Sequence, residues 1–221
     1  DIEDSAATLL SATGQDAVVD SGVDQVFVTD SSVDAGVGAE LNALELELEA
    51  VGGTDINFTV TDTAGAVASE LSSMSGDELD EANDVNVVGG TINVADAALV
   101  QSIDAYDNID SDYDIEDSAA TLLSATGQDA VVDSGVDQVF VTDSSVDADT
   151  GVALNDLELS LQDVGGTDIE FTVTDTAGAV ASELSATGDE LDEANDVNVV
   201  GGTIDVAAAD AVQDITAYDA V

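Results

Sequence analysis

The sequence predicts an α/β protein: tandem strand–helix repeats with short parallel sheets, arranged as a solenoid or a bead-like array. Three observations carry that expectation. A 34-residue block, Asp1 to Asp34, returns letter for letter at Asp114 to Asp147, and the rest of the second half follows the first with scattered changes. Strand-like runs alternate with Ala- and Leu-rich runs, an order that favours parallel strands joined by right-handed helical crossovers. Gly supplies the breaks, because the chain has no Pro. The alternative architecture is a row of tandem β-sandwich extender modules.

The period of the repetition divides the chain into repeat 1 (1–113) and repeat 2 (114–221). Each reads as two related halves, about 1–54 and 55–113, then about 114–167 and 168–221, a size within the range of structural repeats. In repeat 2 a strand is expected at Tyr113–Glu116, then a helical segment over Ser118–Ser134 capped by Asp117-Ser118, whose oxygens suit the first free helix N–H groups. Thr126-Gly127 is expected to split that segment, since Gly inside a helix costs about 1 kcal/mol relative to Ala. A strand at Val136–Val141 and a periodic segment at Val152–Leu161 complete the first half.

The second half answers in the same order. Ile169–Thr174 alternates apolar and polar residues as a half-buried strand does. Asp175-Thr176 then caps a helical stretch to Asn195, with a second break at Thr187-Gly188. Asp196–Val200 and Thr203–Val206 flank a Gly201-Gly202 turn, and Ala207–Tyr218 reads as helical. Aromatics are few (Phe27, Phe58, Phe140, Phe171 and three Tyr), so each core is a thin one of Val, Leu, Ile and Ala. Stacking on neighbouring repeats is expected to supply the burial a single half lacks. Tyr218–Val221 aligns with Tyr106–Ile109, so the register predicts a segment of a longer series, with targeting sequences elsewhere.

Charge narrows the function. The chain carries 50 Asp and Glu and no Lys, Arg or His, a formal charge of −50. Two unit charges about 4 Å apart repel by roughly 1 kcal/mol in water and by more near a protein surface. External cations, as bound divalent metal or high salt, are the physical remedy. Without Lys or Arg there is nothing to meet phosphate, which argues against nucleic acid and anionic membranes as partners. Without His or Cys there is no imidazole base, no thiol nucleophile, no disulfide and no zinc site of the usual kind. No apolar run approaches the roughly 20 residues that span a bilayer.

Two acidic stretches have the composition of an oxygen-rich cation site. The first is the junction holding Asp107, Asp110, Asp112 and Asp114, where alternate placement of the last three puts carboxylates on one side of an extended segment. The second is the loop of Asp143, Asp147 and Asp149, whose counterpart in repeat 1 keeps Asp30 and Asp34 but has Gly36 in place of the third acid. Calcium, which takes roughly six to eight oxygens, is the expected ion. The junction does not follow an EF-hand, because Ile115 and Thr121 occupy the positions that need Gly and Glu. Thr59, Thr61 and Thr63, with Thr172, Thr174 and Thr176, form short threonine rows of the kind flat ice-binding surfaces use, but they recur only once per repeat. Glu190 and Glu193 are a pair that could in principle do acid–base work. In so acidic a chain such pairs arise by chance, and an enzyme is not expected.

The phrase Phe171-Thr-Val-Thr-Asp-Thr-Ala-Gly-Ala-Val180, its partner Tyr113-Asp-Ile-Glu-Asp-Ser-Ala-Ala-Thr-Leu122, and the Val-Gly-Gly-Thr-Ile turn resemble repeats of very large secreted bacterial surface proteins. These include S-layer-like proteins and adhesins exported by type I secretion, often calcium-dependent. The resemblance implies a secreted, cell-surface structural segment of a fibre, surface layer or adhesin stalk; the uncompensated charge leads to the expectation that calcium rigidifies it and bridges neighbouring repeats, and exposed strand edges in identical modules offer a route to homotypic assembly into filaments. The Gly-Gly-x-Gly-x-Asp nonapeptide of many such proteins is absent, so it supplies no ligands here. Two other readings share the charge: a halophile surface protein without specific metal sites, and an Asp-rich mineral- or ice-binding protein.

Overall fold

Four strands of this protein end on an aspartate followed by one Ser or Thr and then by the first residue of a helix, and this punctuation turns a repetitive sequence into alternating layers. The computed structural model describes residues 1–20, 22–73, 79–187, 191, 193–215 and 218. They divide into two compact units, Asp1–Tyr113 and Asp114–Val221.

The first unit makes four strand-to-helix passes. They are β1 (Ile2–Asp4) with α1 (Ala6–Leu9) and α2 (Ala12–Val18); β2 (Gln25–Val28) with α3 (Ala35–Ala50); the pair β3 (Asp55–Asn57) and β4 (Thr59–Asp62) with α4 (Ala64–Ser73); and β5 (Asp84–Ile92) with α5 (Val94–Val100). Strands pair in chain order and in parallel, β1 with β2, β2 with β3 and β4 with β5. Single bridges join Val33 to Val60 and Val85 to Tyr106. The register stacks apolar residues on one another: Ile2 on Val26 and Val26 on Ile56 in one row, Val33 on Val60 and Val60 on Val85 in the next. Val26, Ile56, Val60 and Val85 are fully buried, as are Leu41 and Leu48 of α3. Each such side chain contributes roughly 1.5–3 kcal/mol through burial.

The second unit repeats the plan. Its passes are β6 (Asp112–Asp117, begun in the last two residues of the first unit) with α6 (Ala119–Leu122) and α7 (Ala125–Val131); β7 (Val136–Val141) with α8 (Ala148–Val164); β8 (Asp168–Glu170) and β9 (Thr172–Asp175) with α9 (Ala177–Thr187); and β10 (Asp196–Val199) with α10 (Val206–Gln213). β7 is flanked by β6 and β8, and β9 pairs with β10. The resolved ladders of β7 with β8 and β9 with β10 are again parallel. Among the described residues the ladders β1–β2, β2–β3, β4–β5, β7–β8 and β9–β10 are all parallel, so the fold is α/β and the β-sandwich alternative does not form. Among the described residues no helix is long and apolar enough to cross a membrane.

Two local expectations are corrected. The first helical segment does break in two, but Ser124 makes the break by capping α7 through the Gly127 N–H (3.1 Å). Gly127 lies inside α7, where a Cβ would run into the backbone oxygens of Thr121 and Leu122. Glycine therefore permits a close approach there instead of ending a helix. The companion break at Gly188 lies outside the described residues. The Gly-Gly turn is not flanked by two strands in either unit. β5 runs on through Gly89 and Gly90, at φ 70° and 94°, while Thr203–Asp205 is not strand and Val206 opens α10.

Glycine also decides how closely the long helices approach the sheet. A Cβ at Gly38 of α3 would lie 2.7 Å from Val60 Cγ2, and one at Gly151 of α8 would lie 2.7 Å from Val173 Cγ2. A Gly-to-Ala change inside a helix normally gains up to about 1 kcal/mol. Here overpacking reverses the sign, and Gly38→Ala and Gly151→Ala are each expected to lose about 1–3 kcal/mol of stability in denaturant titrations.

Candidate functional site

The chemistry of the chain is that of carboxylates, and the structure places them in two settings: at helix starts and inside the core. With no side-chain cation available, the positive ends within the protein are backbone N–H groups, above all the unpaired ones of a helix's first turn. That turn carries an effective charge of roughly +0.5.

Each copy uses two oxygens at two of its helix starts, one local and one from the following pass. At α1, Ser5 caps through the Thr8 N–H, and the Ala6 N–H donates to Asp30 Oδ2 (2.7 Å). At α3, Asp34 Oδ1 accepts from the Val37 N–H (2.8 Å) while the Ala35 N–H donates to Asp62 Oδ2 (3.0 Å). The second unit reproduces both. The Ala119 N–H donates to Asp143 Oδ2 (2.7 Å), the Thr150 N–H to Asp147 Oδ1 (2.9 Å) and the Ala148 N–H to Asp175 Oδ2 (3.1 Å). Asp62 and Asp175 also accept from the next residue, Thr63 N–H (2.8 Å) and Thr176 N–H (2.6 Å), so each carboxylate ties two consecutive passes together. The Thr150 hydroxyl and N–H hold the Asp147 carboxyl below its ordinary range.

The residues expected to bind calcium therefore divide. Asp30, Asp34, Asp143 and Asp147 are helix caps, with an oxygen each already committed to a backbone N–H. Asp149 is exposed in the first turn of α8. Asp107 accepts from the Ile109 N–H (2.9 Å), Asp110 is exposed ahead of β6, and Asp112 is exposed at the start of that strand. Asp114, half-buried, stands two residues further along it. Among the described residues no three acidic side chains gather as a ready-made metal cage. The threonine rows do not extend across the sheet either, because Thr59 and Thr61 pair with Asp84 and Asn86. Glu190 lies outside the described residues.

Sequence reading missed the second setting. Glu45 of α3 is 2% exposed and Glu158 of α8 is 1% exposed, each one helical turn after a buried asparagine, Asn42 or Asn155. In the first unit the Ile56 N–H reaches Glu45, Asp55 and Glu81 lie beside it, and Glu45 Oε2 has no hydrogen-bond partner. Asn42 Oδ1 accepts from the Glu81 N–H (3.1 Å). In the second unit Glu158 accepts from the Gln162 side-chain amide (2.9 Å) and the Ile169 N–H (3.3 Å), with Asp168 and Glu193 alongside. Burial, helped by the neighbouring carboxylates, pushes Glu45 up to about 8 and Glu158 up to about 7. Gln162, which stands where the first unit has Glu49, gives Glu158 a second donor. The signal was in the repetition: Asn and Glu persist among the leucines of both helices while Ala43, Glu47 and Glu49 change.

Comparison with known protein families, curated proteins and solved structures gives no match.

Two measurements test these settings. Asp143→Ala removes a cap oxygen and is expected to cost about 0.5–2 kcal/mol, with Asp143→Asn retaining most of it because the acceptor remains. The buried glutamates set a pH dependence. An acid protonated in the fold but ionised when unfolded makes folding take up protons, so its contribution is intact below the ordinary 4.5 and is lost as pH rises through the folded value. Unfolding free energy is expected to fall between about 4.5 and about 8, and Glu45→Gln with Glu158→Gln to flatten that fall.

Proposed function

We propose that the chain is a structural repeat segment of a large extracellular fibre, surface layer or adhesin stalk, and not an enzyme. One observation carries this reading: two near-identical sequence copies build the same four passes, and their polar chemistry is spent on helix starts and strand ends. Repetition of that kind serves length and stiffness, since a single reaction centre has no use for duplicate scaffolding. The passes are proposed to continue as a solenoid, in which each unit contacts only its neighbours.

Calcium is the cation we propose for the remaining charge. The donor chemistry suits it, being all hard oxygen from carboxylates, amides and hydroxyls. Asp107, Asp110, Asp112, Asp114 and Asp149, with the second oxygens of the capping aspartates, are the groups that would hold it. Bound calcium would supply the counter-charge that the sequence lacks. Thermal unfolding with calcium and with a chelator, at moderate ionic strength, tests this: the midpoint is expected to rise with calcium and fall with the chelator, and indistinguishable midpoints refute the calcium role.

A halophile protein screened by bulk salt is the second reading, favoured by the dispersal of the acids. Concentrated NaCl or KCl restoring the midpoint as well as millimolar calcium does would select it. An Asp-rich mineral- or ice-binding surface is less well supported, because the threonine rows are interrupted by Asp84 and Asn86.

A further inference from the structure

We propose that each unit binds one calcium ion in its core, at the buried asparagine–glutamate pair of its long helix: Asn42 and Glu45 of α3, Asn155 and Glu158 of α8. The flanking acids, Asp55 and Glu81 or Asp168 and Glu193, supply the second carboxylate. This deepens the calcium reading above by adding a site apart from the exposed aspartates and the helix caps.

The duplication separates acids that have drifted from acids that have stayed. Of the four acids of α3, Glu40, Glu47 and Glu49 stand opposite Ala153, Ser160 and Gln162 in α8, and only Glu45 recurs, as Glu158. Its surroundings recur with it, since Asn42, Asp55 and Glu81 return as Asn155, Asp168 and Glu193. Glu193 keeps its place although the second copy has one residue fewer between Val180 and Leu191 than the first has between Val67 and Leu79. Solvent-facing charge tolerates such exchange, whereas a chelating set works only with each oxygen in position.

Residues three apart share a helix face, so Asn and Glu present their oxygens side by side. Both are sealed from solvent, with Asn42 and Asn155 each 4% exposed and the glutamates less. In each unit one oxygen of the pair is buried without a hydrogen-bond partner, Glu45 Oε2 in the first and Asn155 Oδ1 in the second. The groups around them are further acceptors: Asp55 and Glu81 lie beside Glu45, Asp168 and Glu193 beside Glu158. A buried acceptor without a donor carries its whole desolvation cost. With no Lys, Arg or His in the chain, the positive charge that relieves it is a proton or a bound cation. A proton bridges two oxygens, whereas calcium gathers roughly six to eight, amide and carboxylate alike, and tolerates irregular geometry that magnesium does not. Asp55 and Asp168 are half-buried, Glu81 and Glu193 exposed, so the acids step outward from the core and the outermost can turn toward an entering ion. Among the described residues they do not stand as a finished cage, and water completes the shell.

Titration calorimetry of the whole chain with calcium tests the proposal, in about 1 M NaCl so that exposed charges more than roughly 3 Å apart are screened and diffuse binding is suppressed. Glu45→Gln and Glu158→Gln are each expected to remove one equivalent of saturable binding, and the double variant two, one for each unit. Glutamine matches the protonated carboxyl in shape, and circular dichroism checks that each variant folds. Asp110→Asn combined with Asp112→Asn is expected to leave both equivalents in place. Saturable binding that survives in the folded double variant, or that disappears with the Asp110 and Asp112 changes instead, overturns the proposal and leaves calcium to the exposed aspartates. A folded wild-type chain without saturable binding overturns it too and leaves the proton as the counter-ion of both glutamates, while the calcium-dependent melting midpoint judges the exposed aspartates separately.

Discussion

The constraint on which the rest of the structure depends is the absence of any cationic side chain. In most proteins a carboxylate near the surface finds a lysine or arginine; here the partners inside the chain are dipoles, and the strongest are helix N-termini. Helix starts are accordingly numerous, and the first pass of each copy opens two within a few residues, at Ser5 and Ser11, then at Ser118 and Ser124. The same constraint explains why Asp30, Asp62, Asp143 and Asp175 reach back to the helix of the preceding pass. Electrostatic need and topology coincide: the oxygen that relieves a helix start also fixes the distance between one pass and the next.

Side-chain amides fill the role at the strand starts. Asn57, Asn86 and Asn198 each donate to the aspartate two residues earlier, at 2.9, 2.9 and 2.7 Å. An amide offers a donor without a charge, so it quiets a carboxylate at small desolvation cost. In the core, where even this is insufficient, the proton itself becomes the counter-ion, as at Glu45 and Glu158. The chain thus has three internal means of quieting a carboxylate, by amide dipole, by helix start and by protonation, and the last serves the most buried acids, Glu45 and Glu158.

Much of this was legible before the structure. The alternation of β-branched runs with Ala- and Leu-rich runs located most strands and helices, because parallel strands buried under helices leave that composition. The caps at Asp117-Ser118 and Asp175-Thr176 were readable for the same local reason. Gly127 was misread because sequence shows that a residue lacks a Cβ without showing whether the space is needed for a turn or for a neighbour's backbone. The acidic loop around Asp143 was read as a ligand set, although carboxylates that serve helix N–H groups and carboxylates that serve a metal have the same spacing. Glu45 and Glu158 stayed hidden since one acid in a leucine-rich helix of an acidic protein looks like surface charge.

The duplicated block has a further consequence for how the protein assembles itself. Asp1–Asp34 and Asp114–Asp147 are chemically indistinguishable, so the strand opening either block can pair with β2 or with β7. Only tether length separates correct from crossed pairing. A closure cost that grows with the logarithm of loop length leaves a margin of about 1–2 kcal/mol. That is a narrow margin for a chain released from denaturant all at once. A chain that emerges from its N-terminus residue by residue faces no such choice, because the first copy closes before the second exists. Vectorial synthesis is thus the proofreading step for a sequence whose own letters cannot tell its parts apart.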